Sequence, residues 1–489
     1  MAAVARGAKT IAGPKTIIDD VRSSGQVVAV QVVGGGLAGS ECAWQLARRG
    51  VPVVLHEMRP VRQTPAHATD AFAELVCSNS LRSDEADHPA GLLKREMECF
   101  GSLIIAAARA AAVPAGGALA VDRDRFSAAI TACLASHPLV EVRREEVPEI
   151  PAGPAVVATG PLTSPSLAAS LQALLGAEYL YFYDAIAPIV DAETLDLSKM
   201  FRASRYGKGG GDDYLNAPLS RDEYEAFVAA LVAAEVLPLH DFERALFFEG
   251  CLPVEEMARR GVDTLRFGPM KPVGLTAPDG TRPYAVVQLR QENLASTHFN
   301  LVGFQSRLKW ADQIRVLRTI PGLERAEFVR LGQVHRNTFI CSPIHLDERY
   351  RLKARPAVRL AGQVTGVEGY LESAATGLAI GLYLAHESNG AEIEPLPATT
   401  ALGALARHVT QSDPGSFQPA NINWGLFLPL GGRVTRDERK AAYAARARAE
   451  LAAWAARAGI SLEETPAGAL PPAELAGATA APAASGLER

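Results

Sequence analysis

The chain has 489 residues, 48% of them hydrophobic and 21% charged, with a formal net charge of −5. That length calls for two or three packed units rather than one. The mildly acidic balance excludes a uniformly basic surface, so a nucleic acid would have to meet a local basic patch. Six cysteines, at 42, 77, 99, 133, 251 and 341, form no CxxC pair, which speaks against a zinc site or a disulfide framework. No metal is expected. No apolar run approaches the ~20 residues of a membrane span. Residues 1–26 lack the continuous apolar stretch of a secretory signal. A cytoplasmic, reducing setting with no membrane partner is expected, and nothing in the composition speaks to oligomeric state.

In chain order, residues 1–26 read as an N-terminal extension. Val27-Val28-Ala29-Val30-Gln31-Val32-Val33 is a β-branched run that predicts a buried strand. Gly34-Gly35-Gly36-Leu37-Ala38-Gly39 follows, and then a helical pattern that stops at Gly50. A second strand over 51–56 delivers Glu57. This is Gly-x-Gly-x-x-Gly between strand and helix with an acid roughly 20 residues on, the arrangement that binds a dinucleotide. Gly34 permits the tight turn, Gly36 lets the backbone approach a pyrophosphate, and Gly39 allows the helix close to the strand. The helix N-terminus offers unpaired N–H groups to the phosphates. Glu57 is expected to accept hydrogen bonds from ribose hydroxyls. The motif alone does not separate FAD from NAD.

A long polar loop is expected over 58–91, carrying Thr64-Pro65-Ala66-His67 and Glu74-Leu75-Val76-Cys77-Ser78-Asn79-Ser80-Leu81-Arg82. Helix resumes near Leu92, another starts after Asp122 or Asp124 as a cap, and 139–147 reads as an exposed strand. Ala155-Val156-Val157-Ala158-Thr159-Gly160 is a buried strand that returns to the cofactor. Residues 27–185 are thus the first part of a nucleotide-binding domain. From 186 to 331 the β-α alternation gives way to a smaller inserted unit. Its cations include Arg202, Arg205, Lys208, Arg266, Lys271, Arg282, Arg290, Arg307 and Lys309, with Phe201, Tyr206, Tyr214, Phe267, Tyr284 and Trp310 among them. Cations beside aromatics suit an RNA backbone with unstacked bases, and equally a solvated charged surface.

Residues 332–456 close the nucleotide domain. There Gly362, Gly366 and Gly369 form a second glycine-rich turn, which opens a helix over 371–386 and can face the cofactor. Residues 457–489 end the chain, dense in Ala, Pro and Gly from Thr465 on, and are expected to be a disordered tail. The expected fold is α/β: a discontinuous Rossmann-like domain with an inserted smaller α+β domain.

Two cysteines stand out for chemistry. Cys77 lies between Glu74 and Arg82 in the polar loop, and Cys251 in the turn Phe247-Phe248-Glu249-Gly250-Cys251-Leu252-Pro253. A reactive thiol needs exposure and neighbouring cations; most cysteines are small core residues. Cys42, Cys99 and Cys133 fall on apolar helical faces and read as packing.

Taken together, GGGLAGSE, HEMRP, TPAH, ELVCSNSLR, FYDAIAPIV, YLNAPL, FFEGCLPVE, RFGPMKPVGL, YAVVQLRQEN, HRNTFI, AGQVTGVEGYLESAATG and FQPANINWG resemble the folate-dependent, FAD-using tRNA (uracil-5-)-methyltransferases of bacteria. The resemblance covers about residues 27 to 430. It implies FAD in the Rossmann-like domain, with 5,10-methylenetetrahydrofolate and NADH or NADPH as co-substrates. It also implies tRNA as partner, methylated at C5 of the T-loop uridine, position 54 of tRNA. Uracil C5 is a weak nucleophile until a thiolate adds at C6. Cys251 is expected to make that attack, and Cys77 to assist or protect the carried methylene near the flavin.

By motif match Arg82, Lys271, Arg282, Arg290, His335, Arg336 and Asn337 are candidate substrate or flavin contacts. The chain departs from the family pattern at Ala217, where cysteine is frequent, and at Cys341, where asparagine is usual. The same chemistry on ribosomal RNA is one competing reading, and a non-catalytic flavin-loaded RNA-binding protein another. The related aminomethyl-installing enzymes of wobble uridines fit the Cys251 motif less well.

Overall fold

A computed structural model of the chain describes residues 28–463 except 177–179, 186, 238–251, 333, 433 and 436–437. The expected N-terminal extension, most of the expected tail and Cys251 therefore lie outside the described residues.

The nucleotide-binding sheet has six strands. In chain order they are β1 (Val30–Val33), β2 (Val53–Glu57), β3 (Val140–Arg144), β4 (Ala155–Val157), β5 (Arg351–Leu352) and β6 (Arg355–Leu360). Their order in space is β5-β6-β4-β1-β2-β3, parallel except for β5 at one edge. Strands covered on both faces read as unbroken apolar runs, which accounts for Val32, Val53, Leu55 and Val156 all being fully buried. β3 lies at the other edge and alternates its valines with Glu141, Arg143 and Arg144. Sheet β6-β4-β1 is assembled from both ends of the chain, on either side of the inserted unit.

Helix α1 (Leu37–Ala47) leaves β1 through the glycine turn, and helix α2 (Tyr370–Ser388) follows β6 through the second one. The two helices lie against each other at backbone contact. A Cβ at Gly377 would run into the Ala38 carbonyl, and one at Gly381 would stand 2.6 Å from Cβ of Gln45. Two small residues one turn apart thus let α2 bring its glycine turn beside that of α1.

The inserted unit is an antiparallel sheet in the order Phe201–Arg202, Tyr214–Leu219, Ala285–Gln291, His298–Leu301, Ile189–Asp191, Phe328–Arg330. Strand period 2 divides its faces. Leu215, Ala217, Val287, Leu289, Phe299 and Leu301 form a core with Tyr224, Phe227 and Leu231 of the helix Arg221–Ala233. The opposite face carries Asn216, Gln288, Arg290 and Asn300, buried although polar. The chain enters and leaves this unit along two strands, Leu180–Ala185 and Val334–Phe339, which pair antiparallel as a ribbon.

The loop expected over 58–91 is interrupted. Ser80–Ser83 pairs with Ala118–Val121, a non-local partner, and a helix already starts at Pro89 with the His88 ring accepting from Ala90 N–H. Asp122, rather than Asp124, caps the helix Arg123–Ser136 through the Arg125 N–H. The expected tail begins too early at 457: the helix Arg439–Arg457 runs into residues that still pack. Glu463 N–H donates to Cys99 O at 2.9 Å and its carboxylate meets Arg48 at 2.6 Å.

Candidate functional site

A cleft opens over the carboxyl ends of β1 and β4, where ligands of open α/β sheets bind. Gly34, Gly36, Leu37, Ala38, Glu57, Thr159, Gly362, Gln363 and Tyr370 are among its lining residues. The three motif glycines answer to three separate demands. Gly34 has φ +107, and a Cβ there would stand 2.6 Å from the Ala158 carbonyl oxygen. A Cβ on Gly39 would strike the Gly34 carbonyl, so this glycine seats α1 on the strand. Gly36 has an ordinary φ of −73 and open space around its missing Cβ. Neither sterics nor backbone within the protein requires glycine at 36. A bare backbone at a helix N-terminus facing a cleft is the cradle a pyrophosphate fills. Of the second turn, Gly362 lines the cleft, whereas Gly366 packs on Phe417 and Gly369 on Glu372.

Glu57 is buried and already engaged. Its Oε2 accepts from Gly35 N–H at 2.9 Å, and its Oε1 from the N–H and Nε of Arg59 at 3.0 and 2.9 Å. Burial pushes the carboxyl up, but the Arg59 guanidinium and these N–H groups outweigh it and hold Glu57 below the usual carboxylate range. Arg59 is in turn fixed by Glu74 at 3.0 Å and by the carbonyls of Thr69 and Ala71. A carboxylate has about four lone-pair sites, so Glu57 keeps one direction for a ribose hydroxyl while its other bonds shape the glycine turn. Glu57→Ala is expected to lower both the flavin retained on purification and the melting temperature. Unchanged flavin content would remove Glu57 from the cofactor site.

The segment around Cys77 borders the cleft, which Val76 and Tyr370 help to line. Cys77 is half-buried, and its N–H donates to the Tyr370 hydroxyl at 2.5 Å. Arg123 holds the Cys77 carbonyl at 2.8 Å and also the Leu75 carbonyl, while Arg330 holds that of Val76. Arg290 reaches from the inserted sheet to Ser78 Oγ and Asn79 Oδ1, both at 2.8 Å. Asn79 returns a bond to the Gln291 carbonyl at 3.1 Å.

The guanidiniums of Arg123, Arg290 and Arg330 all interact electrostatically with Cys77 and with the one carboxylate among them, Glu292. Burial lowers the pKa of Arg290 and Arg330. At Arg123 burial also pulls downward, but the charge and hydrogen bond of Glu292, together with Tyr370 and Cys77, outweigh it and raise the pKa. Three cations against one carboxylate leave an excess of positive charge beside a thiol. Such a setting favours thiolate.

The other candidates are dispersed. Arg82 binds the buried Glu372 at 2.7 Å, tying the segment after Cys77 to α2. Lys271 and Arg282 are exposed on the inserted unit. His335, Arg336 and Asn337 lie on the connecting ribbon, opposite Asp184, Tyr183 and Phe182. Ala217 is fully buried in the inserted core. Cys341 packs on Phe339 and Phe417, away from the cleft lining. Cys42 and Cys133 are buried and Cys99 partly so.

Much of the dense basic character dissolves into internal pairs. Arg307 binds Glu256, Lys309 binds Glu235, Arg205 binds Gln288, and Arg266 covers the Tyr284 ring at 3.6 Å. Arg123, Arg330, Tyr370 and Glu292 were not singled out by motif. Only the position of Arg123, next to a helix cap, hinted at a fixed geometry. Among the described residues there is no His/Cys/Asp/Glu group able to hold a metal, and no helix long and apolar enough to cross a membrane.

Residues 29–392 match the family model described as glucose inhibited division protein A. A relative from Geobacter sulfurreducens, named methylenetetrahydrofolate–tRNA-(uracil-5-)-methyltransferase TrmFO, is 58% identical over 430 residues, covering 88% of this chain and 99% of its own. The chain belongs to the TrmFO family. A second TrmFO, from Myxococcus xanthus, is 55% identical over 443 residues, covering 89% and 97%. Among solved structures, Aquifex aeolicus GidA in its form II crystal superposes with a TM-score of 0.62 at 16% identity, covering 87% of this chain and 73% of that one. That likeness establishes the fold: the Rossmann-like α/β architecture expected from the sequence is the one found. For a TrmFO, the glycine turns, the cleft and the gripped Cys77 segment all fall within the matched span.

Proposed function

We propose that the protein is a methylenetetrahydrofolate–tRNA-(uracil-5-)-methyltransferase, forming 5-methyluridine at the T-loop uridine of tRNA in the cytoplasm. Its cofactor is FAD, and NADH or NADPH is the reductant. The observation that carries this reading is the Cys77 segment, held beside the glycine-turn cleft by three arginines, in a chain so similar to the named relatives. The ribosomal-RNA and binding-only readings draw no support from those relatives.

Gly34, Gly36 and the N-terminus of α1 would hold the pyrophosphate, Glu57 a ribose hydroxyl, and Gly362 the middle of the cofactor. FAD supplies reducing equivalents and carriage of the one-carbon unit from the folate. The protein's own part begins at Cys251. Its thiolate adds to C6 of the uracil, and the C5=C6 electron pair moves on to C5 and O4. Once C5 is bonded to the methylene carbon, loss of the C5 proton supplies the electron pair that breaks that carbon's bond to its carrier. A hydride, which the reduced cofactor would supply, then converts the methylene to methyl as the C5=C6 bond re-forms and the Cys251 thiolate leaves. The uridine must leave its stack to be reached, as for other enzymes acting on bases. Cys77, with the positive charge around it, stands at the flavin end to assist or protect the methylene in transit.

Cys251→Ala is expected to abolish methylation with the yellow FAD retained; a binding-only protein would lose nothing. The direct test incubates an unmodified tRNA transcript with the protein, FAD, NADPH and isotope-labelled methylenetetrahydrofolate, followed by nucleoside mass spectrometry. Label in 5-methyluridine is expected. A flavin-loaded protein that transfers no label to tRNA would overturn the reading.

A further inference from the structure

On the polar face of the inserted sheet, two buried side-chain atoms have no hydrogen-bond partner among the described residues: Oε1 of Glu292 and Nδ2 of Asn300. Both residues are at most 5% exposed. Buried polar atoms are nearly always satisfied, so an unmet acceptor and an unmet donor on one sheet face call for an ordered water or a ligand. Their placement is fixed by the sheet. Asn300 lies directly across from Arg290, and Glu292 follows Arg290 by two residues, its N–H bonded to His298 O at 2.9 Å. With strand period 2, all three share one face, and diagonal neighbours sit on the order of 7–8 Å apart. That face looks on to the Cys77 segment. Arg290 grips Ser78 and Asn79 from it, and Oε2 of Glu292 is held at 2.5 Å by Arg123, which also holds the Cys77 carbonyl. Glu292 is thus oriented by Arg123 through one oxygen and left with the other unmade.

We infer that Glu292 and Asn300 form a recognition pair for a lactam edge, a ring N–H beside a ring C=O, with Glu292 accepting from the N–H and Asn300 donating to the carbonyl. This rests on the proposed reaction, in which the flavin and both substrates carry that edge. The two substrates, the uracil at N3–H and C4=O and the pterin of the folate, are the candidates the test separates in protein already loaded with FAD. A ring seated there lies against the Cys77 segment. The pair is a binding element and takes no part in bond making.

The test uses full-length, FAD-loaded protein carrying Asn300→Ala or Glu292→Gln. Nδ2 of Asn300 holds nothing else, so its removal spares the fold, and Glu292→Gln keeps an acceptor for Arg123. Two probes are titrated: tetrahydrofolate, and a T-arm RNA hairpin containing the target uridine. In both variants the Kd for one probe is expected to rise about tenfold or more, with the other within about twofold. Loss of tetrahydrofolate assigns the pterin. Loss of the hairpin assigns the uracil, and a hairpin with N3-methyluridine at the target then binds the unaltered protein equally weakly. Unchanged affinity for both probes in Asn300→Ala overturns the site, as does an equal loss for both or binding of neither by the unaltered protein. Absence of 5-methyluridine in the labelling assay would overturn the reaction, while these titrations still judge the site.

Discussion

Gly36→Val is expected to yield a folded protein that purifies without flavin. The backbone at 36 has φ −73, which any residue adopts, and a Cβ there meets nothing within 4 Å. The protein alone therefore tolerates the side chain. A dinucleotide does not, because the valine occupies the space through which the pyrophosphate reaches the N–H groups of α1. Flavin absorbance at 450 nm should vanish, with far-ultraviolet circular dichroism that of the unaltered protein stripped of FAD. Gly39→Val makes the control. Its Cβ would strike the Gly34 carbonyl, so it should cost stability whether or not cofactor is present, on the order of several kcal/mol. Full flavin occupancy in Gly36→Val would show that the cradle is not where the phosphates lie.

Cys77→Ala is expected to cut 5-methyluridine formation about a thousandfold or more, which is about 4 kcal/mol of lost transition-state stabilisation. The bonds from Tyr370 and Arg123 grip the backbone of residue 77, not its thiol. Alanine keeps them, so flavin content and melting temperature should hold. The loss then reports chemistry rather than folding. The same positive surroundings predict that Cys77 is alkylated by iodoacetamide well below the pH at which an ordinary thiol reacts. Full methylation by the alanine variant would take Cys77 out of the reaction.

The glycine turn was legible because everything it needs is local: strand, turn and helix follow one another, and the acid comes with the next strand. The second turn was legible for the same reason, although Gly366 and Gly369 answer to Phe417 and Glu372 rather than to the cleft. The grip on Cys77 was not legible. Arg330 and Tyr370 reach it from more than 250 positions away in the chain, and no periodicity records such a meeting. Glu57 was read for its ribose alone, because its partner Arg59 looks from the sequence like a surface cation two residues on. The basic stretch of the inserted unit misled in the opposite sense. Arg307 and Lys309 look free in a linear reading, but their acids, Glu256 and Glu235, lie far back along the chain.

The Cys77 segment is clasped from both units at once, by Arg123 and Tyr370 of one and by Arg290 and Arg330 of the other. It behaves as a fuse between them. The Cys77 amide, bonded to the Tyr370 hydroxyl, is expected to be shielded from solvent exchange for as long as the units stay docked and to be released when they part. Deuterium uptake at 76–80 would then keep pace with uptake in the inserted sheet, not with that of neighbouring surface turns. The Cys77 thiol therefore meets its full set of surrounding cations only when both units are in place.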